Sequence, residues 1–156
     1  MGLDNTKPYI FCLEDVLSQT ECFEMIAFIE SSNLAPAPIN TVFGEKIKPD
    51  VRNNERVMRN DLELAENLFN RVKIQLPSES NNYKLSGLNE LFRCYRYKPG
   101  MKFAPHSDGA FERNERERSF YTFLIYLNEV VKGGETSFAV EPEVTFNPRS
   151  GLGVLF

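Results

Sequence analysis

His106 is the only histidine among 156 residues, and Asp108 follows it at i+2. In an extended segment residues i and i+2 share one face, so an imidazole and a carboxylate placed this way can converge on one ion. A mixed nitrogen and oxygen donor pair suits a borderline divalent ion such as iron better than ions that prefer thiolates, and two protein ligands leave room for substrate or cofactor to coordinate. The alternative for the imidazole is a partly buried structural role. Tyr126 shares a strand face with Thr122, and a phenol buried there needs a partner. A ligand carboxylate would supply one, and core packing with a backbone partner is the other option. Gly133-Gly134 permits a tight turn or a close backbone approach shortly before Thr136.

The run Arg96–Asp108, R-Y-K-P-G-M-K-F-A-P-H-S-D, is followed by Thr122, by I-Y-L-N at 125–128 and by G-G-E-T-S-F at 133–138. As a set it closely resembles the prolyl 4-hydroxylase-like branch of the iron(II)- and 2-oxoglutarate-dependent dioxygenases, well over the C-terminal part of the chain and loosely over the rest. The resemblance implies a double-stranded β-helix, a jelly-roll-like barrel with the metal at its mouth. It implies an enzyme that couples oxidative decarboxylation of 2-oxoglutarate by dioxygen to hydroxylation of a C–H bond, with a prolyl residue of a peptide or protein as the leading substrate. It assigns His106 and Asp108 to Fe(II) and Tyr126 to the distal carboxylate of 2-oxoglutarate. Tyr97 falls beside cofactor and iron, and Thr136 along the cofactor wall. No catalytic residue is implied beyond the metal ligands, and ascorbate is an accessory cofactor that the resemblance allows. Phe103 stands where the family often has tyrosine, so a hydrogen bond made there is lost.

The family's iron site also needs a second histidine, and its cofactor site a lysine or arginine beyond it, both following the G-x-x-x-L-F element that here reads Gly151–Phe156. The sequence stops at that element. The expectation is therefore a truncated version of a longer dioxygenase, and a 156-residue form that binds iron poorly and turns over no 2-oxoglutarate. Two contrasting classes share the barrel: a non-catalytic binding or regulatory module without a complete metal site, and a cupin-like metal enzyme that uses no 2-oxoglutarate.

Composition bounds these readings. At 42% hydrophobic content the chain suffices for one domain with a substantial core and is short for two. A net charge of −4 argues against a general nucleic-acid partner, which would show a basic stripe. Cys12, Cys22 and Cys94 lie far apart without metal-type spacing, which suits a cytoplasmic or other reducing, soluble compartment. The N-terminus has no apolar leader region, and no segment approaches a membrane span in length. Met1-Gly2 with Thr6 fits the myristoylation pattern formally, against which stands the acidic Asp4.

The elements that must position the site follow from periodicity. Tyr9–Leu13 reads as a strand. Ser18 and Glu21 form a capping box, and Cys22, Met25, Ile26 and Ile29 make one buried helical face that stops near Ser31–Asn33. Ala35–Pro38 cannot continue a helix. Thr41–Arg59, with Arg52, Arg56 and Arg59, reads as strand and loop, either a solvated connection or a loop that grips substrate. Asn60 caps a second helix with Glu63 at the box position, and Leu62, Ala65, Phe69, Val72 and Leu76 keep to one side until Pro77 ends it. Ser78–Asn82 is a polar loop. Leu91–Tyr97 and Lys102–Asp108 read as extended, Glu112–Arg118 as a solvated loop rather than a lid, and Ser119–Asn128 as a central strand, apolar on both faces. Glu135–Val140, Val144–Phe146 and Gly153–Phe156 complete the strands. The fold class is α+β with a mainly β core and two N-terminal helices packed outside the sheet, in one domain spanning 1–156. Within it, 1–85 is a helical support region and 86–156 a barrel core that holds the metal half-site.

Overall fold

The computed structural model describes residues 9–80 and 82–156, so the myristoylation pattern at Gly2 lies outside the described residues. The described residues are mainly β with two α-helices. The first helix, Gln19–Ser31, starts as its sequence requires: Glu21 N–H donates to Ser18 Oγ at 3.3 Å, and Ser18 N–H donates to the Glu21 carboxylate at 2.8 Å. Two orphan donors are thereby satisfied reciprocally. Cys22 and Ile29 are buried, with Met25 and Ile26 half-buried between them.

The second helix, Leu62–Val72, is capped by Asp61 rather than Asn60. Asn60 is the last residue of the strand Glu55–Asn60 and is committed to pairing with Leu91, so the next side chain turns to accept the Leu64 N–H at 2.9 Å. Ala65, Leu68 and Val72 are its buried residues, whereas Leu62 is exposed. α-Helical bonding gives way to a 3₁₀ turn at Lys73–Gln75, ahead of Pro77.

Both helices contribute side chains to a core shared with one small sheet. Its strands are Phe11–Leu13, Gly153–Leu155 and Phe123–Ile125, antiparallel in that order. Leu13, Val16, Leu17 and Cys22 from the first part of the chain join Leu68, Val72, Leu76 and Leu155 in the core, and Phe92, Phe123, Ile125 and Leu127 pack against them. Ser119–Asn128 is therefore not a long central strand. Phe123–Ile125 is an outer strand of this sheet, and Gly153–Leu155, buried throughout, is the middle one. Backbone bonds extend the same ladder: Thr122 and Phe156 exchange N–H···O bonds at 2.7 and 3.0 Å, and Tyr126 N–H donates to Leu152 O at 2.9 Å. The double-sided apolar pattern of 119–128 reflects half-burial of both faces rather than strands on both sides.

A second sheet orders Ala35–Pro36, Glu55–Asn60 and Leu91–Arg96. Glu112–Arg118 is a hairpin rather than a plain loop, pairing Glu112–Asn114 with Glu117–Arg118, and Arg113 forms ion pairs with Glu90 and Glu117. Thr136–Phe138 pairs with Val144–Phe146. Among the described residues no sheet closes into a barrel, and no helix is long and apolar enough to cross a membrane. Cys12, Cys22 and Cys94 are free thiols.

Candidate metal and cofactor site

Lys102–Asp108 is not a strand. It runs beside residues 51–54, with one bridge between Arg52 and Phe103. Ala104 N–H donates to Val51 O at 2.8 Å, and Lys102 N–H to Asn53 Oδ1 at 2.6 Å. Backbone donors that a sheet would have used are satisfied by this strap.

Arg52 is the inner side chain of the strap, only 7% exposed. Its Nε–H donates to Asn54 Oδ1 at 2.8 Å, and its guanidinium lies over the Tyr95 and Phe103 rings, 4.5 and 4.1 Å from their centroids. Phe103 in turn stacks on the His106 imidazole, with centroids 3.6 Å apart and planes at 19°. An arginine expected in a solvated or substrate-gripping segment instead supports the ring beneath the histidine. Arg56 pairs with Glu45 at 3.2 Å and Arg59 with Asp61 at 2.6 Å.

His106 and Asp108 meet. His106 Nδ1 lies 2.9 Å from the Ala104 carbonyl oxygen, which can only accept, so Nδ1 carries the proton and Nε2 presents a lone pair in the neutral ring. That Nε2 lies 3.3 Å from Asp108 Oδ1. The other carboxylate oxygen, Oδ2, accepts the Thr122 hydroxyl at 2.6 Å. Two lone pairs thus face one another and require a proton or a cation between them. Donors bound side by side to one octahedral ion at about 2.1 Å stand roughly 3 Å apart, close to the spacing seen. Both side chains remain open to solvent, at 39% and 40% exposure. Among the described residues no group of three His, Cys, Asp or Glu side chains could hold a metal ion.

Tyr126 and Thr136 form a second group. The Tyr126 hydroxyl donates to Thr136 Oγ1 at 2.5 Å. Burial raises the Tyr126 pKa, against a smaller lowering by the Thr136 bond, and keeps the phenol a donor at neutral pH. Tyr97, one residue past the strand Leu91–Arg96, is half-exposed as a residue, while desolvation of its hydroxyl raises its pKa against the opposing pull of Arg52.

Tyr97, His106, Asp108, Thr122, Tyr126 and Thr136 all line one open cavity of about 2790 Å³. It is far larger than the roughly 300–1,000 Å³ of a small-molecule pocket, so the direct contacts are more informative than the cavity. Among the described residues, hydrogen bonds tie His106 to Ala104, Thr122 to Asp108 and Tyr126 to Thr136, but none links the His106–Asp108 pair to Tyr126 and Thr136. Their register comes from one stretch of chain: Thr122 and Tyr126 flank Phe123–Ile125 and stand about 13 Å apart along it. The Thr122 contact and the Arg52–Phe103–His106 packing had no local signature, since each joins residues distant in sequence.

The chain is similar in sequence to proteins of one plant. Prolyl 4-hydroxylase 1 of Arabidopsis thaliana is 25% identical over 171 residues, covering 96% of this chain and 58% of that protein. Probable prolyl 4-hydroxylase 8 of the same plant is 28% identical over 139 residues, covering 85% of this chain and 45% of that protein. Probable prolyl 4-hydroxylase 7 is 25% identical over 147 residues, with 88% and 45% covered. The chain spans about half the length of the curated relatives it matches. No family model matches it. The chain is thus similar, at 25–28% identity, to plant prolyl 4-hydroxylases over most of its own length.

Proposed function

We propose that this chain forms the metal- and cofactor-binding part of an iron(II)- and 2-oxoglutarate-dependent dioxygenase that hydroxylates a prolyl residue in a peptide or protein. The observation that carries the reading is the convergence of His106 Nε2 and Asp108 Oδ1 at 3.3 Å, each held from behind. The nitrogen and oxygen donor set and its open, half-exposed position fit a divalent iron with room for further ligands. Bound there, the iron with 2-oxoglutarate and dioxygen supplies the oxidising chemistry of C–H hydroxylation.

The protein's own part is orientation. The Ala104 carbonyl holds the imidazole in the tautomer that leaves Nε2 free. Arg52 and Phe103 fix the plane of that ring. Tyr126 donates its one hydroxyl proton to Thr136, which leaves the Thr136 hydroxyl proton to meet a carboxylate of the 2-oxo acid. Tyr97 presents its phenol to the same cavity. The small sheet around Gly153–Leu155 and the Thr136–Phe146 hairpin would be walls of the jelly-roll barrel that this reading implies.

Mn(II), a redox-stable stand-in, tests the site directly by electron paramagnetic resonance titration of the chain with 2-oxoglutarate present. His106→Ala removes a ligand itself and should weaken binding by more than the roughly 10- to 100-fold that loss of an outer-shell partner costs. Equal affinity in the two proteins would discard the metal site.

A further inference from the structure

We infer that Arg52 and Tyr97 form a carboxylate-binding subsite on the wall of the open cavity, with the Nη edge of the buried guanidinium as its anchor. Arg52 is the only buried charged side chain among the described residues. Arg56, Arg59 and Arg96 on the neighbouring strands each pair with a carboxylate. Arg52 forms no ion pair among the described residues: its Nε–H goes to the neutral Asn54 amide oxygen at 2.8 Å and its Nη1 to the Pro38 carbonyl oxygen at 3.3 Å. A cation withdrawn from water without a counter-charge is costly. The Tyr95 and Phe103 rings offset part of that cost, but the attraction of a ring face leaves the N–H edge of the guanidinium free.

That edge opens onto the cavity. Nη2 makes no hydrogen bond among the described residues, and no wholly buried side-chain nitrogen or oxygen among them lacks a partner, so Nη2 reaches the surface. The surface that Arg52 presents is the cavity wall it shares with Tyr97 and His106. Each Nη carries two N–H groups, so Nη1 keeps one beside those of Nη2. The Tyr97 hydroxyl stands close enough for Arg52 to pull its pKa down against desolvation, and as a neutral phenol it adds an O–H donor at the side of this fork. Such a planar fork matches a carboxylate, whose two oxygens take two parallel N–H bonds. The carboxylate comes from a small dicarboxylic acid, the 2-oxo acid included, or from an acidic residue of a peptide, and the cavity is open enough to admit either. The subsite requires no metal at His106 and Asp108.

The metal-free full chain, carrying isotope-labelled arginine, tests this by nuclear magnetic resonance. Glutarate should shift the Arg52 side-chain N–H resonances in a saturable titration, and glutaramide, uncharged and of the same length, should not. N-acetyl-Pro-Glu-amide against N-acetyl-Pro-Gln-amide puts the same question to a peptide. The carboxylate that fits should bind about 10- to 100-fold tighter than its amide counterpart, the worth of a hydrogen bond to a charged group. Arg52→Lys, which keeps the charge and loses the fork, should remove most of that preference. Tyr97→Phe, a change at a half-exposed residue, should reduce it, and melting temperatures check that both variants fold. Should Arg52→Lys not fold, the wild-type resonances and Tyr97→Phe decide. A response to glutarate assigns the subsite to a small acid, and a glutamate preference without one assigns it to a peptide. Arg52 resonances unmoved by both carboxylates, or a preference that persists in full in folded Arg52→Lys or in Tyr97→Phe, would overturn the inference. The Mn(II) titration decides the metal site separately, because every arm here runs without metal.

Discussion

Gly151 provides a graded test of how the small sheet is held to the segment that leads into the first helix. Its φ is +79°, and a Cβ built there would lie 2.2 Å from the Leu17 carbonyl oxygen, a backbone atom with no flexible end to move. Gly100 has φ +84° with nothing within 4 Å, and Gly87 has open space without a positive φ. Alanine at the three positions therefore separates three effects. At Gly87 it should stabilise by about 0.4–1 kcal/mol by restricting the unfolded chain. At Gly100 it should cost about 1–2 kcal/mol for the left-handed backbone alone. At Gly151 the same conformational cost is joined by about 1–3 kcal/mol for forcing packed backbone apart, roughly 2–5 kcal/mol in all. That is a large share of the ~5–15 kcal/mol that stabilises a domain. The displacement would also strain the Val16 N–H bond to Gly151 O and the Gly151 N–H bond to Tyr126 O, both 2.9 Å, and so reach the strand that carries Tyr126. Urea unfolding followed by circular dichroism, at constant m, ranks the three variants. A Gly151→Ala cost no greater than that of Gly100→Ala would refute the close approach to Leu17.

Three further outcomes are expected. The Arg71 guanidinium, and after it Ser18, holds the Glu21 carboxyl down to about 2. Because the folded pKa is depressed, that stabilisation is present above the ordinary carboxylate range and is lost as pH falls through about 2. Glu21→Gln should thus cost about 1 kcal/mol at neutral pH, discounted for partial exposure, and little near the acid limit; a loss independent of pH would contradict the ion pair. Asp61→Ala should cost about 1 kcal/mol as the lost cap of the second helix, against a few tenths for Asn60→Ala. The reverse order in thermal melts would return the cap to Asn60. Tyr126→Phe deletes the hydroxyl that orients Thr136 toward the expected carboxylate, so 2-oxoglutarate should bind weaker by about 0.5–1.5 kcal/mol, with Mn(II) affinity retained. Isothermal titration showing unchanged 2-oxoglutarate affinity would leave Tyr126 a packing residue.

Local chemistry made some of the fold legible before any coordinates. The Ser18–Glu21 capping box spans three residues, so its geometry depends on little outside the first helical turn. Cys22, Met25, Ile26 and Ile29 were placed on one face by helical period alone. The proximity of His106 and Asp108 follows from i, i+2 spacing even though their segment is not a strand, because two residues of chain cannot carry the side chains far apart.

What sequence could not decide depended on which distant segment lay alongside. Asn60 or Asp61 as cap was settled by the partner strand Leu91–Arg96, which claims Asn60 for its ladder. Apolar residues on both faces of 119–128 announce burial, but not on which side a strand will pair. That was decided by Gly153–Leu155, which lies between Phe11–Leu13 and Phe123–Ile125. Arg52 looks like a surface charge in a polar run until Tyr95, Phe103 and Asn54 close around it. The hydroxyl of Thr122 acquires its partner only where Asp108, fourteen residues earlier, is brought within 2.6 Å. Periodicity and capping act over a few residues and can be read from them; which oxygen of Asp108 stays free is a long-range contact, and only the assembled chain could set it.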